Sequence, residues 1–420
     1  MHSISRVFLW VCLSALAAHT VSQSSLAEDD IKIIANGRFS PHGGKILFPA
    51  KSGRTSGVFL IDTGSRITDF FKGWRHLAGR ELEQVTLNGP EIDALHSSTP
   101  SYAAPEATIG GMLLRKDTPI VAVTTLGDLF GNVRIKADGM LGMDVLQEYV
   151  LHLDFDRSEW RVLRAYAPMD GREYAVRLST SGPGEACRCS VYFPQVGPIE
   201  FILDTGNLRP ESATLDAATY KLLESKGVLQ TIQPAWRSPL AEEDEAGLLR
   251  FAETSVHRVG YLTRAATLGE MALPECAFFE GQGNTLGLGF LSRFVVTFDF
   301  PKKVVYLRPG KQLHRRERLK ISGLLAVDDH GRTKVLHVVP ESPCAKAGIQ
   351  KGDFLTQVGQ HSPDEMTLME IEQALGELDT TVPVTLDRRG ERIKVSVKSP
   401  DIKPPKIIDV DKIPGKKYLD

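Results

Sequence analysis

One internal repeat constrains this chain more than any other feature. GVFLIDTGS at residues 57–65 recurs as IEFILDTGN at residues 199–207, so that Asp204 follows Asp62 by 142 residues. GMLGMDVLQEYVLHLDF at residues 139–155 recurs as NTLGLGFLSRFVVTFDF at residues 284–300. There Gly142 matches Gly287, Leu146 matches Leu291 and Asp154 matches Asp299, at a shift of 145. Between these anchors, ATIGGMLL around Gly110 is echoed by ATLGEMAL around Gly269. Three landmarks recurring in one order are the signature of a duplicated unit. The flanking segments are short runs of β-branched and aromatic residues punctuated by Gly, Pro and Asn, which predicts two copies of a mostly β lobe.

An Asp at the end of an apolar strand is expensive to bury unless it is paired, hydrogen-bonded or used. Asp62 and Asp204 each end such a run, and each opens an Asp-Thr-Gly turn. A lone turn of this kind carries little weight. Two in matching settings, each followed about 80 residues later by an apolar-Gly element, point to a pair. Two carboxylates that face each other resist double ionisation, because the second charge is repelled by the first. They then share one proton. The ionised member can take a proton from water while the protonated member polarises a peptide carbonyl, with neither a metal nor a covalent intermediate. Gly64 and Gly206 let the backbone turn tightly beside the carboxylates. Thr63 and Thr205 are placed to hydrogen-bond across a pseudo-twofold axis, and Ser65 and Asn207 to donate to the outer carboxylate oxygens. Met140-Leu141-Gly142 and Leu286-Gly287 would pass under the turns and brace them.

On these residues the chain resembles the retroviral-type (retropepsin-like) aspartic proteases, here as a tandem of two lobes in a single chain. The resemblance covers about residues 31–309. It implies a mostly β fold in which two retropepsin-like lobes, at 31–168 and 169–310, form a pseudo-dimer. It implies that Asp62 and Asp204 are the catalytic dyad, that water is the nucleophile and that a peptide bond is the substrate. Thr63, Gly64, Ser65, Thr205, Gly206 and Asn207 would support the dyad. Two positions depart from the family pattern: Asn207 stands where Ser, Thr or Ala is usual, and Thr285 opens the second apolar-Gly element. Asn207 sustains an alternative, a catalytically inactive pseudoprotease that binds peptides and cuts none. Flaps over the substrate are expected within residues 83–106 and 231–261, where the acidic run 242–245 reads as a solvated loop.

GLGF at residues 287–290 is a peptide-binding signature of PDZ domains, yet it lies inside the repeat, aligned with Gly142-Met143-Asp144-Val145, and is set aside. The basic stretch KQLHRRERLK, residues 311–320, reads as a solvated linker. Beyond it come alternating strands, a helical spacing over residues 367–375, and a helix end with a turn at 347–353. Residues 321–400 resemble the PDZ module, a small α+β domain appended to many bacterial extracytoplasmic proteases. That resemblance implies a carboxylate-binding loop at Ser322, Gly323 and Leu324, with Leu325 and the helix from Leu368 lining a peptide pocket. Cys344 stands where the family often has Ala, and is expected to be small and buried. Residues 401–420, rich in Lys, Pro and Asp, read as an extended tail.

With 420 residues, 42% hydrophobic and 24% charged, the chain can build two or three domains with real cores. A formal net charge of -2 gives no ground for nucleic acid or a membrane surface as partner. The expected partners are peptide or protein substrates, and a C-terminal peptide ligand at the PDZ domain. Residues 1–27 read as a signal peptide, with Arg6, a short apolar run and small residues ending at Ala27. The run, about a dozen residues, falls short of the roughly 20 needed to span a bilayer. Cleavage is therefore expected, giving a secreted or periplasmic protein without a stable membrane anchor.

Cys187, Cys189, Cys276 and Cys344 would remain after cleavage. A bridge from Cys276 to Cys187 or Cys189 and a set of buried free thiols are both open. Cys187-Arg188-Cys189 is too tight for a zinc pair and has no His cluster beside it, so no metal and no cofactor is expected. The chain also lacks a Gly-x-Ser-x-Gly elbow and a His-Glu-x-x-His pair, which argues against a serine or metallo-enzyme. A tandem chain completes its own dyad, so a monomer is expected.

Overall fold

The computed structural model describes residues 32–39, 46–85, 99–122, 136–168, 171–179, 185–207, 212–232, 236–243, 249–281, 283–317, 319 and 321–407. The expected signal peptide lies outside them. The fold is mostly β. Two nine-stranded sheets carry the repeat. The first runs Glu81–Val85, Thr99–Ala103, Pro119–Val121, Asp69–Phe70, Gly139–Leu141, Thr55–Ile61, Leu47–Ser52, Ala107–Ile109, Met112–Leu114. The second runs Leu229–Thr231, Val259–Leu262, Ala277–Gly281, Ala213–Asp216, Thr285–Leu286, Gly197–Leu203, Arg188–Phe193, Thr267–Leu268, Met271–Ala272. The orders match strand for strand, so the repeated words of the sequence are repeated topology.

The halves are joined by a six-stranded sheet to which each contributes three strands: Ile33–Arg38, Glu159–Leu163 and Val150–Asp154, then Phe294–Asp299, Val304–Pro309 and Tyr174–Arg177. Its two central strands pair antiparallel from Val150↔Asp299 to Asp154↔Val295. His152 and Thr297 meet at the middle, with the ring Nδ1 2.8 Å from the Thr297 hydroxyl. Every residue of Phe294–Asp299 is buried, Thr297 and Asp299 included. The echoed ATIGG and ATLGE turns are tight hairpins. Gly110 and Gly269 sit at φ +54° and +60°, and a Cβ on Gly110 would lie 2.2 Å from the Phe48 ring, so only Gly fits there.

Antiparallel hairpins occupy both expected flap regions. Glu81–Val85 pairs with Thr99–Ala103, and Trp236–Glu243 pairs with Leu249–His257. Glu242 and Glu243 close a strand rather than open a loop, while Asp244 and Glu245 lie outside the described residues.

Residues 324–398 form an antiparallel five-stranded sheet with its own core: Leu324–Asp329, Arg332–Val338, Phe354–Val358, Thr381–Arg388 and Glu391–Lys398. The helix Leu368–Leu375 starts where the sequence places it. Thr367 and Glu370 close a reciprocal capping box that satisfies two N–H groups at its N-terminus.

The stretch expected to be a solvated linker is packed. Leu313, Glu317 and Leu319 are buried, and Leu319 and Ile321 join Leu378 against Val259, Tyr261, Ala277 and Phe279 of the second half. Lys311 and Arg316 are exposed and Arg315 is half-buried, while Leu313 and Leu319 spaced among them act as anchors, which a charge count overlooks. Ile402 packs on the same cluster, so the expected extended tail begins as a docked segment. Residues 408–420 lie outside the described ones.

Cys187, Cys189, Cys276 and Cys344 are free and buried, which removes the disulfide alternative. Burial pushes each thiol up, that of Cys344 to about 12, so none is a ready nucleophile. Among the described residues no helix is long and apolar enough to cross a membrane.

Candidate active site

The strand Thr55–Ile61 delivers Asp62 to the middle of the molecule, and Gly197–Leu203 delivers Asp204 in the same way. The apolar-Gly elements lie alongside them as expected. Gly139–Leu141 runs parallel to the first strand, and the Asp62 N–H donates to the Leu141 carbonyl at 3.0 Å. Thr285–Leu286 runs parallel to the second, and the Asp204 N–H donates to the Leu286 carbonyl at 3.0 Å. Thr285, one of the two departures from the family pattern, is simply a buried strand residue.

Each half-buried carboxylate is clasped by its own turn. Asp62 Oδ1 accepts from the N–H of Gly64 at 2.8 Å and of Ser65 at 3.0 Å. Asp204 Oδ1 accepts from the N–H of Gly206 at 2.7 Å and of Asn207 at 2.9 Å. At the positions of Ser65 and Asn207 the backbone N–H groups supply donors to these carboxylates. The Ser65 hydroxyl donates instead to the Ile67 carbonyl at 3.0 Å. Because the clasp needs only an N–H, Asn at 207 does what Ser does at 65.

The two turns interlock. The Thr63 N–H donates to Thr205 Oγ1 at 3.1 Å and the Thr205 N–H to Thr63 Oγ1 at 3.0 Å. The hydroxyls donate onward, Thr63 to the Leu203 carbonyl at 2.5 Å and Thr205 to the Ile61 carbonyl at 2.8 Å. Both threonines are fully buried. Four bonds in a dry interface fix the halves in register, and losing one partner would leave a buried donor unmet. The glycines complete the arrangement. A Cβ on Gly64 would fall 2.6 Å from the Asp204 carboxyl carbon, and one on Gly206 would fall 2.2 Å from that of Asp62. Each carboxylate therefore rests on the glycine of the opposite turn.

One supporting residue escaped the sequence reading. Asp144, just past the first apolar-Gly element, accepts from the Thr68 N–H at 3.0 Å and the Thr68 hydroxyl at 2.8 Å. Thr68 Oγ1 in turn accepts from the Gly142 N–H at 3.2 Å. Its signal was present: Asp144 is a charged residue inside a repeated motif, GMDVL. Burial raises the Asp144 carboxyl from 3.8 to about 6, against the hydrogen bonds from Thr68 and Val145 that lower it. The fold thus favours the protonated form. Its contribution to stability is complete below about pH 4 and fades as pH rises through about 6. Asp144→Asn cannot titrate, so its melting temperature is expected to fall less than the parent's between pH 4 and about pH 7. Parallel melting curves for the two proteins would remove the assignment.

In the C-terminal unit, Ser322, Gly323 and Leu324 form the loop that enters the edge strand Leu324–Asp329, with Gly323 at φ +69°. Ser322 is buried and its Oγ accepts from the Leu324 N–H at 3.2 Å. Leu324, of the expected loop, and Leu368, at the start of the helix, are both buried and belong to one hydrophobic cluster of this unit. Leu325 is half-buried on the edge strand. The hairpin strand Trp236–Glu243 of the second half runs close to that edge.

Compared with protein-family models the chain matches none, and no curated protein matches it.

Proposed function

We propose that this chain is an aspartic endopeptidase of the retropepsin-like type, with both lobes in one polypeptide and a C-terminal PDZ module. The observation that carries the proposal is the reciprocal seating of two Asp-Thr-Gly turns, each carboxylate against the other turn's glycine. Two carboxylates so arranged hold one proton between them. A water between them loses its proton to the ionised oxygen as it attacks the peptide carbonyl, and the protonated partner stabilises the developing oxyanion. That proton then passes to the departing amine. Preorganisation is supplied by the backbone clasps and the threonine interlock, which leave the carboxylates little freedom.

The paired hairpins Glu81–Val85 with Thr99–Ala103 and Trp236–Glu243 with Leu249–His257 are the proposed flaps. The PDZ module would take a C-terminal peptide as a strand added to Leu324–Asp329, with Ser322, Gly323 and Leu324 as the carboxylate-binding loop and Leu325 and the helix from Leu368 lining its groove. Secretion or export to the periplasm follows from the signal-like start of the sequence. The alternative, a pseudoprotease that binds peptides and cuts none, rests on Asn207; that the Asn207 N–H clasps Asp204 as the Ser65 N–H clasps Asp62 supports the protease reading.

The test is hydrolysis of a mixed peptide library from acidic to neutral pH in ¹⁸O-labelled water. Cleavage is expected to place one label in each new carboxyl terminus, and to survive both thiol reagents and chelators. Retention of peptides without any cleavage would replace this reading with the binding protein.

A further inference from the structure

Within the second half the carboxylate corresponding to Asp144 is missing. The repeat offset of 145 residues places Gly289 at that position, inside the helix Leu288–Leu291. A hydroxyl residue nevertheless lies beside the second apolar-Gly element. Ser212, fully buried, stands just before the strand Ala213–Asp216, and its carbonyl accepts from the Gly287 N–H at 3.2 Å, where in the first half the Gly142 N–H donates to the Thr68 hydroxyl.

We propose that the segment joining the second half to the C-terminal unit completes the second turn, with Glu317 doing for the Asp204 turn what Asp144 does for the Asp62 turn. Glu317 accepts from the Ser212 hydroxyl at 2.6 Å and from the Ser212 N–H at 3.3 Å. The grip on main chain and hydroxyl at once reproduces that of Asp144 on Thr68. From Ser212 the path to the dyad is short. Gly287 rests against Asn207, a Cβ there lying 3.1 Å from the Asn207 side-chain carbon, and the Leu288 N–H donates to the Asn207 carbonyl at 3.1 Å. Asn207 is one of the two donors that clasp Asp204.

The segment is built to hold that carboxylate in place. Arg293 pairs with Glu317, both almost wholly buried, and donates through Nη1 to the Leu313 carbonyl at 2.9 Å. Arg315 donates to the carbonyl of Gly289 itself at 3.2 Å. Beyond Glu317 the chain is pinned by the Leu319 N–H on the Gly376 carbonyl at 3.3 Å, where the helix Leu368–Leu375 ends. A buried ion pair of this kind rarely adds stability over an apolar pair of equal volume, so a positioning task accounts for its presence better than a packing one. Glu317 touches no reacting atom. Its role is positioning, and its effect on hydrolysis, though not its grip on Ser212, rests on the protease reading.

Removing Glu317 alone would leave Arg293 charged and buried, so two variants that avoid this are needed. Ser212→Ala keeps the ion pair and deletes the hydroxyl. Arg293→Met combined with Glu317→Leu replaces the pair by apolar side chains and releases Ser212 altogether. Hydrogen exchange in the full-length folded proteins is expected to quicken at the amides of residues 204–207 and 287 and to stay unchanged at 62–65 and 142, more in the double variant than in Ser212→Ala. Where the parent cleaves peptides, kcat of the double variant should fall roughly hundredfold with KM little altered, the mark of displaced catalytic groups. A folded double variant whose 204–207 amides exchange as in the parent overturns the proposal. A parent that cleaves nothing overturns the protease reading and leaves the exchange comparison to decide this one.

Discussion

Asn in place of either Asp62 or Asp204 is expected to cut peptide hydrolysis by roughly 10³-fold or more while the protein stays folded. The geometry separates the two effects. Asp62 Oδ1 accepts two N–H bonds from its own turn, and Asp204 Oδ1 does the same, so an Asn that keeps its amide oxygen in that place keeps both clasps. The amide group that replaces the second oxygen has nearly the same size and meets the same opposite glycine. What disappears is the ability to hold or release a proton. With Asn at 62, Asp204 has no partner with which to share a proton and must serve as acid and base alone, and the reverse holds with Asn at 204. The near-symmetry of the clasps argues for losses of similar size. Measured kcat/KM for both variants, beside circular dichroism and thermal melts, decides the matter. Substantial activity in either would show that a single carboxylate suffices and would break the dyad mechanism.

The pairing of the two Asp-Thr-Gly turns was legible because the chain states it twice. Residue type, strand setting and spacing to the apolar-Gly element all recur, and a recurring pattern is hard to produce without a shared fold. The clasp was legible only in part: Ser65 and Asn207 were the right positions, but an N–H belongs to every residue except proline, so side-chain identity carried no information about it. Glu317 was hidden for a different reason. It reaches Ser212 across 105 residues and lies within a basic run, where local charge suggests solvent. The informative sign was an absence, the Gly289 that fails to match Asp144. The burial of Leu324 and Leu368 was not legible, because an apolar residue near a groove reads the same whether it faces the groove or the core beneath it. Their burial follows from how the helix Leu368–Leu375 settles on the sheet, which no short motif encodes.

Gly206→Ala is expected to cost roughly hundredfold in kcat, and Gly64→Ala somewhat less, with peptide affinity little changed. Neither glycine sits in the left-handed region of backbone space, so Ala meets no conformational penalty in the turn itself. The new methyl meets the carboxylate across the interface. At Gly206 it would lie 2.2 Å from the Asp62 carboxyl carbon and 2.3 and 2.5 Å from its oxygens, while at Gly64 it would lie 2.6 Å from the Asp204 carboxyl carbon. Contacts that close cannot persist, so either the carboxylate or the opposing turn must move by about an ångström. Asp62 cannot retreat freely, being held by Gly64 and Ser65 through its side chain and by the Leu141 carbonyl through its N–H. The Gly206 turn cannot retreat either while Thr205 remains bonded to Thr63 and Ile61. Strain therefore concentrates on the spacing of the two carboxylates, the one quantity the shared proton depends on. Overpacking of this size lowers stability by about 1–3 kcal/mol, well below what unfolding a chain with this core requires, so loss of activity can be measured in a folded protein. Full activity in Gly206→Ala would mean that the Asp62 carboxylate does not face the opposite turn when the protein works.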